Sequence, residues 1–172
     1  MNIEQDINEY LVNISKSPNF KTWEKRLRRH PLGEMVCNDL KGSPQCIEYH
    51  PEFCALKHTY LVVQSLVEMK AYDILDIGLL HDWGKAERTV IERDYINNIG
   101  HANKSAKKVK NIANKGWIEN PERCSWIIKR HMGISLDHQK IQDPPEENKD
   151  KWLDLAKLIK ADKEVSRDRY WQ

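Results

Sequence analysis

His81 and Asp82 stand side by side at the end of an apolar run, Ile77-Gly78-Leu79-Leu80, with Trp83, Gly84 and Lys85 directly after them. Burying an imidazole and a carboxylate is costly unless a partner or a metal compensates them. Mixed imidazole and carboxylate donors suit a hard or borderline divalent ion. His58 and Asp162 would complete a set of four ligands with His81 and Asp82, leaving positions open to water and a phosphate oxygen. An ion held there would lower the pKa of bound water and neutralise charge developing on phosphorus. His101 and His131 also fall beside apolar stripes, and could hold a second ion bridged by Asp82. Two ions about 3.5–4 Å apart clamp the attacking and leaving oxygens of an in-line displacement.

Other residues could assist. Lys85 could reach a phosphate oxygen, or satisfy the carbonyls of a helix C-terminus. Arg130 could bind phosphate in bidentate fashion or bridge to a nearby acid, and Arg167 has the same two options. His50 and Glu52 lie in a loop before His58, where they could contact substrate or fix the loop. His30 and His138 have no supporting context and read as surface residues. A single inward histidine is more often a hydrogen-bonded core residue than a ligand, and a lone His-Asp pair is weak. Four ligand-type residues, each on an apolar face, favour a metal.

Helices must position these groups. Residues 3–15 and 19–30 have helix-forming composition, and Pro31-Leu32-Gly33 breaks the second, leaving a short helix over 33–40. Residues 41–55, with Gly42, Pro44 and Pro51, read as a loop. From 55 to 70, His58, Leu61, Val62, Ser65, Leu66 and Met69 recur along one face. Residues 72–82 are apolar almost all round, as in a helix buried at the centre of a bundle, and Gly84 can terminate it. Residues 85–100 are polar and mixed, ending in a turn signal at Asn97 to Gly100. A helix over 101–115 carries Ala102, Ala106, Val109 and Ala113. Pro121 opens another over 120–131, placing Cys124, Ile127, Ile128 and His131 on one face. After a long loop over 133–148, a helix over 149–168 sets Asp162 in register with Leu155, Leu158 and Ile159. No segment shows strand alternation, so the fold class expected is all-α.

At 172 residues the simplest organisation is one domain over 1–172, with 1–30 as a helical extension of a core at 31–170. Charged residues make up 31% and hydrophobic ones 40%, and no apolar stretch approaches the length of a membrane span. Met1 to Tyr10 is acidic and polar, unlike a secretion signal, so a cytoplasmic location with no membrane partner is expected. Four cysteines without a Cys-x-x-Cys pair read as free thiols. A net charge of +2 does not argue for nucleic-acid binding. Two basic stretches, Lys21 to Arg29 and Lys104 to Lys115, read as solvated helix faces that could also guide an anionic substrate.

His58, His81-Asp82 with Gly84-Lys85, and Asp162 in Lys-Ala-Asp-Lys resemble the H…HD…D pattern of the HD-domain metal-dependent phosphohydrolases. Gly42-Ser43-Pro44-Gln45, Tyr49-His50-Pro51-Glu52 and His58-Thr59 are similar to the entry to the HD domain of bacterial CCA-adding enzymes (tRNA nucleotidyltransferases). Gly100-His101, Ser105-Ala106, Arg130-His131 and Ala161-Asp162 continue the resemblance over about residues 30–170, with Arg167 trailing it. The branch carries further His or Asp after the Arg-His position, where this chain has Met132-Gly133.

The resemblance implies an HD-domain helical bundle with one or two divalent ions (Mn, Ni, Co, Mg, Fe or Zn). It implies hydrolysis of phosphate esters of nucleotides or RNA ends, as a 2′,3′-cyclic phosphodiesterase, 2′-nucleotidase or phosphatase. With no room before residue 30 for a nucleotidyltransferase region, CCA addition is not expected. Hydrolysis of a (d)NTP, a nucleoside monophosphate or a dinucleoside polyphosphate is an alternative with the same site. An RNA-binding or regulatory module of low activity is an alternative of another class.

Overall fold

The computed structural model describes residues 6–45, 54–92, 95–132 and 142–168. Its helices are α1 (Ile7–Ser15), α2 (Phe20–Leu27), α3 (Pro31–Leu40), α4 (Ala55–Glu68), α5 (Leu75–Leu80), α6 (His101–Asn111), α7 (Pro121–Arg130) and α8 (Lys149–Lys163). The expected all-α bundle is what forms. One small departure is an antiparallel hairpin, β1 (Val90–Glu92) and β2 (Tyr95–Asn97), paired Val90 to Asn97 and Glu92 to Tyr95. Strands of three residues are too short to show alternation in a sequence window. No helix among the described residues is long and apolar enough to cross a membrane.

Local chemistry sets the helix starts. The Asp6 carboxylate accepts from Asn8 N at 2.8 Å to cap α1, and Asn19 accepts from Thr22 N at 3.0 Å to cap α2. Pro121 takes the first position of α7, where its missing N–H costs nothing, with Asn120 capping Arg123 N at 2.9 Å. Pro31 does the same for α3, so that helix starts two residues before the expected position. Its cap is His30 Nδ1, which accepts from Leu32 N at 3.2 Å. His30 is therefore buried beside Tyr10 and Trp117, not on the surface as its sequence context suggested.

Helix α4 lies at the centre and packs on α5 and α8, while α6 packs along α7. Leu56, Val62, Val63 and Leu66 of α4 join Leu75, Leu79 and Leu80 of α5, Ile127 and Ile128 of α7, and Leu155 and Leu158 of α8 in one buried cluster. Ile7, Leu11, Trp23 and Leu27 of the first two helices belong to that same cluster. The segment 72–82 is broken where one helix was expected. A 3-10 turn, Tyr72–Ile74, precedes a six-residue α5, which ends at Leu80.

Two polar ties hold helices that carry site residues. Arg123 of α7 binds the buried Asp154 of α8 and reaches Asp73 at 3.1 Å. At the start of α5, Asp76 N donates to Asn8 Oδ1 at 2.7 Å, and the Asp76 carboxylate accepts from Ile77 N at 2.8 Å.

Burial raises the Asp76 carboxyl from 3.8 to about 7, against the hydrogen bond from Ile77 N. A folded pKa above the unfolded one means that the folded protein holds the proton more tightly. This contribution to stability is full below about pH 3.8 and is lost as pH rises through 7. At about 1.4 kcal/mol per unit, the loss is on the order of 4 kcal/mol. Asp76→Asn removes it, so urea unfolding should show the variant gaining about that much on wild type between pH 4 and pH 8. An equal pH dependence for the two proteins would contradict the burial argument.

Candidate metal centre

The ligand-type residues come from five helices, each at or near an end. His58 lies in the first turns of α4, His81 caps the C-terminus of α5, and Asp82 follows it. His101 opens α6, His131 caps α7, and Asp162 is next to the last residue of α8. Three overlapping groups have all their ligand atoms within 4.8 Å of one another: His58 with His81 and Asp82, His81 with His131 and Asp162, and Asp82 with His101 and His131. The six residues so linked are the four expected as one ion's ligands and the two expected for a second. This buried cluster could hold a metal ion.

Asp82 is the centre of the arrangement. Its Oδ2 lies 3.3 Å from His81 Nε2 and 3.8 Å from His58 Nε2. Its Oδ1 lies 3.1 Å from His101 Nε2 and 3.9 Å from His131 Nε2. The two oxygens thus face two different groups of imidazoles. Asp162 Oδ1 sits 2.9 Å from His58 Nε2, so the acid partners a histidine of the cluster and not Arg130 or Lys160.

Hydrogen bonding orients three of the rings in one way. Nδ1 donates to the carbonyl three residues earlier: His81 to Gly78 O at 2.8 Å, His101 to Asn98 O at 2.7 Å, and His131 to Ile128 O at 2.6 Å. A carbonyl oxygen only accepts, so Nδ1 carries a proton, and in the neutral ring the Nε2 lone pair is turned toward the cluster. Metal-bound histidines are held in this way by a carbonyl or carboxylate on the other nitrogen.

The Nε2 atoms so exposed lack suitable protein partners. His81 Nε2 is buried with no hydrogen bond and faces a carboxylate oxygen, while His101 Nε2 and His131 Nε2 face each other at 3.3 Å. Lone pairs directed at an anion or at each other require a proton or a cation between them. His131 does not supply the proton near neutrality. Burial lowers it to about 4, with His81 and His101 adding to the effect and Asp82 opposing it. The donor set therefore fits a divalent cation.

Burial would raise the Asp82 carboxyl, but the His81 imidazole and the Lys85 ammonium beside it, with His101 on the other oxygen, hold it well below the usual carboxylate range. Burial acts the same way on Asp162, and its bond to His58 reverses the effect and lowers it. Both acids are therefore anionic at neutral pH.

The turn after Asp82 is fixed from two sides. Lys85 is buried, with Nζ 2.6 Å from Asp82 Oδ2 and a second bond to Gln45 Oε1. Trp83 Nε1 donates to Asp39 Oδ2 at 2.7 Å, and Lys108 Nζ reaches that oxygen at 2.7 Å. Gly84 does not act as the helix terminator expected. Its φ is −77°, which any residue adopts, but a Cβ there would lie 2.3 Å from His101 O and 2.7 Å from Ser105 N. Glycine instead lets α6 close onto the turn, where Gly84 N donates to Ser105 Oγ at 2.7 Å. Gln45 and Ser105 had no role assigned from sequence, although a hydroxyl in the apolar stripe of 101–115 was a usable signal for Ser105.

The remaining candidates are placed less centrally. Arg130 stacks over the Trp126 ring at 4.0 Å and donates to Trp126 O at 3.3 Å. Among the described residues no hydrogen bond or ion pair joins it to the cluster. Arg167 falls in the π-helical turn Glu164–Asp168. The Arg167 side chain, His50, Glu52 and His138 lie outside the described residues. In the basic stretches, Lys104 pairs with Glu87, Lys108 with Asp39 and Glu87, and Arg28 with Glu24, which offsets part of their charge.

No protein-family model, curated protein or solved structure matches the chain significantly.

Gly84→Ala should push the start of α6 away from Asp82, because both close atoms are backbone. The expected cost is about 1–3 kcal/mol of stability, with Mn(II) affinity at least about tenfold weaker. Chelated samples followed by thermal unfolding, and Mn(II) titration of the variant, check the two effects. Unchanged Mn(II) affinity would contradict the role given to this contact.

Proposed function

We propose that the chain is a metal-dependent phosphohydrolase that cleaves phosphate esters of nucleotides or RNA ends, of the 2′,3′-cyclic phosphodiesterase, 2′-nucleotidase or phosphatase type. The observation that carries this reading is the Asp82 carboxylate with each oxygen turned to a separate group of imidazoles. On that division His58, His81, Asp82 and Asp162 would hold one divalent ion, and Asp82, His101 and His131 a second. Ions bound there supply Lewis acidity toward a phosphoryl oxygen and a water acidic enough to attack near neutral pH. The H…HD…D pattern and the Pro-Gln…His-Pro-Glu likeness support the same reaction class.

The chain's own groups have definable tasks. The three Nδ1 anchors fix their imidazoles with Nε2 aimed at the cluster, so little reorganisation would accompany the reaction. Lys85, held by Gln45, keeps a positive charge on Asp82 Oδ2 and keeps that carboxylate ionised. Its position makes it a positioning residue for Asp82. The Asp162 side chain is 23% exposed while those of His58, His81 and Asp82 are at most 2% exposed, which supports an approach of the ester from the Asp162 side. The burial of the remaining ligands excludes bulk water and strengthens charge interactions with the phosphate.

Purified protein with Mn(II), Ni(II), Co(II) or Mg(II) should hydrolyse 2′,3′-cyclic AMP, 2′-AMP or an aryl phosphodiester. His81→Ala and Asp82→Ala should each lower kcat by about a thousandfold, since the ion contributes several kcal/mol to the transition state. No turnover with any of these ions, or turnover that survives both substitutions, would sink the reading.

A further inference from the structure

The hairpin β1–β2 joins the turn after Asp82 to the start of α6. Its register pairs Val90 with Asn97, so Thr89 and Asn98 are the next residues at its base. Their side chains meet there. Thr89 Oγ1 lies 2.6 Å from Asn98 Oδ1 and 2.8 Å from Lys85 O, with its one proton available to either oxygen. The Lys85 end of this link is fixed to Asp82. Lys85 N donates to Asp82 O at 2.9 Å, and Thr89 N donates to Lys85 O at 2.9 Å. The Asn98 end holds an imidazole, because Asn98 O accepts from His101 Nδ1 at 2.7 Å and from His101 N at 3.2 Å. On the other side of that ring, His101 Nε2 lies 3.1 Å from Asp82 Oδ1. A circuit through Asp82, Lys85, Thr89, Asn98 and His101 therefore closes on Asp82.

The backbone between Asn98 and His101 does not fix this geometry alone. Gly100 lies between them with φ of 83°, in the left-handed region, and glycine is the residue with the widest choice of conformation. Ser105, which accepts from Gly84 N at 2.7 Å, holds the body of α6 one turn further on. We infer that Thr89 is a positioning residue for the second cation: through Asn98 it holds the His101 ring at its distance from Asp82. The inference rests on the division of Asp82 between two cations, and not on the reaction proposed for them. The group on the far nitrogen of a metal-binding histidine typically accounts for about ten- to a hundredfold in affinity. Here that group is a main-chain carbonyl, which substitution cannot remove, so the side chain that anchors it controls the effect.

Thr89→Val keeps the branched shape and removes the hydroxyl, and Thr89→Ser restores the hydroxyl. Calorimetric titration of metal-free protein with Mn(II) should show two ions bound by wild type. Thr89→Val should weaken one of them by about tenfold and leave the other within about twofold, and Thr89→Ser should recover the wild-type values. Unchanged affinities would overturn the assignment, and so would an equal loss at both sites, which a loosened fold would give. A second readout needs no metal. In isotope-labelled, metal-free protein followed by nuclear magnetic resonance, the His101 Nδ1 proton should exchange with solvent about tenfold faster in Thr89→Val than in wild type. The His131 Nδ1 proton should exchange at the same rate in both. A wild type that binds fewer than two ions contradicts the two-cation division, and the exchange rates then decide the positioning role. Faster exchange at His101 alone supports it, and equal rates, or a parallel change at His131, overturn it.

Discussion

One buried carboxylate facing four imidazole nitrogens is the interaction on which this structure depends. Asp82 is 2% exposed, and each of its oxygens looks toward two histidines. In a dry interior such a group is tolerable only if positive charge surrounds it. Lys85 supplies one charge, but on Oδ2 alone. His81 Nε2, which has no hydrogen-bond partner, and the Nε2 atoms of His101 and His131, which face each other, are donors that a bound cation would satisfy. Perturbed and unsatisfied buried groups of this kind mark a candidate functional site.

The bundle delivers its ligands by ending its helices at one place. Five helices bring a ligand-type residue at or near a terminus, and those at the ends of α5 and α7 lie where the last backbone carbonyls lack intrahelical partners. The His81 and His131 Nδ1 atoms take up such carbonyls within their own chain turns, at Gly78 and Ile128. These carbonyls thereby set which ring nitrogen of His81 and His131 faces the cluster. Gly84 adds the close approach that brings His101 to Asp82, and Asp39 with Lys108 braces Trp83 behind the turn. Helix packing and site geometry are one problem in this protein.

Much of this was legible in the sequence. Each of His58, His131 and Asp162 shares a helical stripe with apolar residues, so its inward direction follows from periodicity. The all-α class followed from the same stripes and from turn signals between them. What periodicity could not carry was anything decided by three or fewer residues or by partners distant in sequence. The hairpin at 90–97 is too short to alternate. His30 became buried because Pro31 needed a helix cap and Tyr10 and Trp117 covered the ring. Gly84 looked like a helix stop because glycine usually serves that purpose, whereas its missing side chain matters for a helix some twenty residues on. Ala113 fell off its stripe because α6 ends at Asn111, and Ile112 is buried in its place.

The central claim is that Asp82 joins two cation sites and not one. It is tested most directly by loading the protein with Mn(II), dialysing, counting bound manganese per chain and recording its electron paramagnetic resonance spectrum. The account gives two ions per chain with the spectrum of a magnetically coupled pair, and loss of the coupled signal in Asp82→Ala. No retained manganese, or a single isolated Mn(II) signal unaffected by Asp82→Ala, would contradict it.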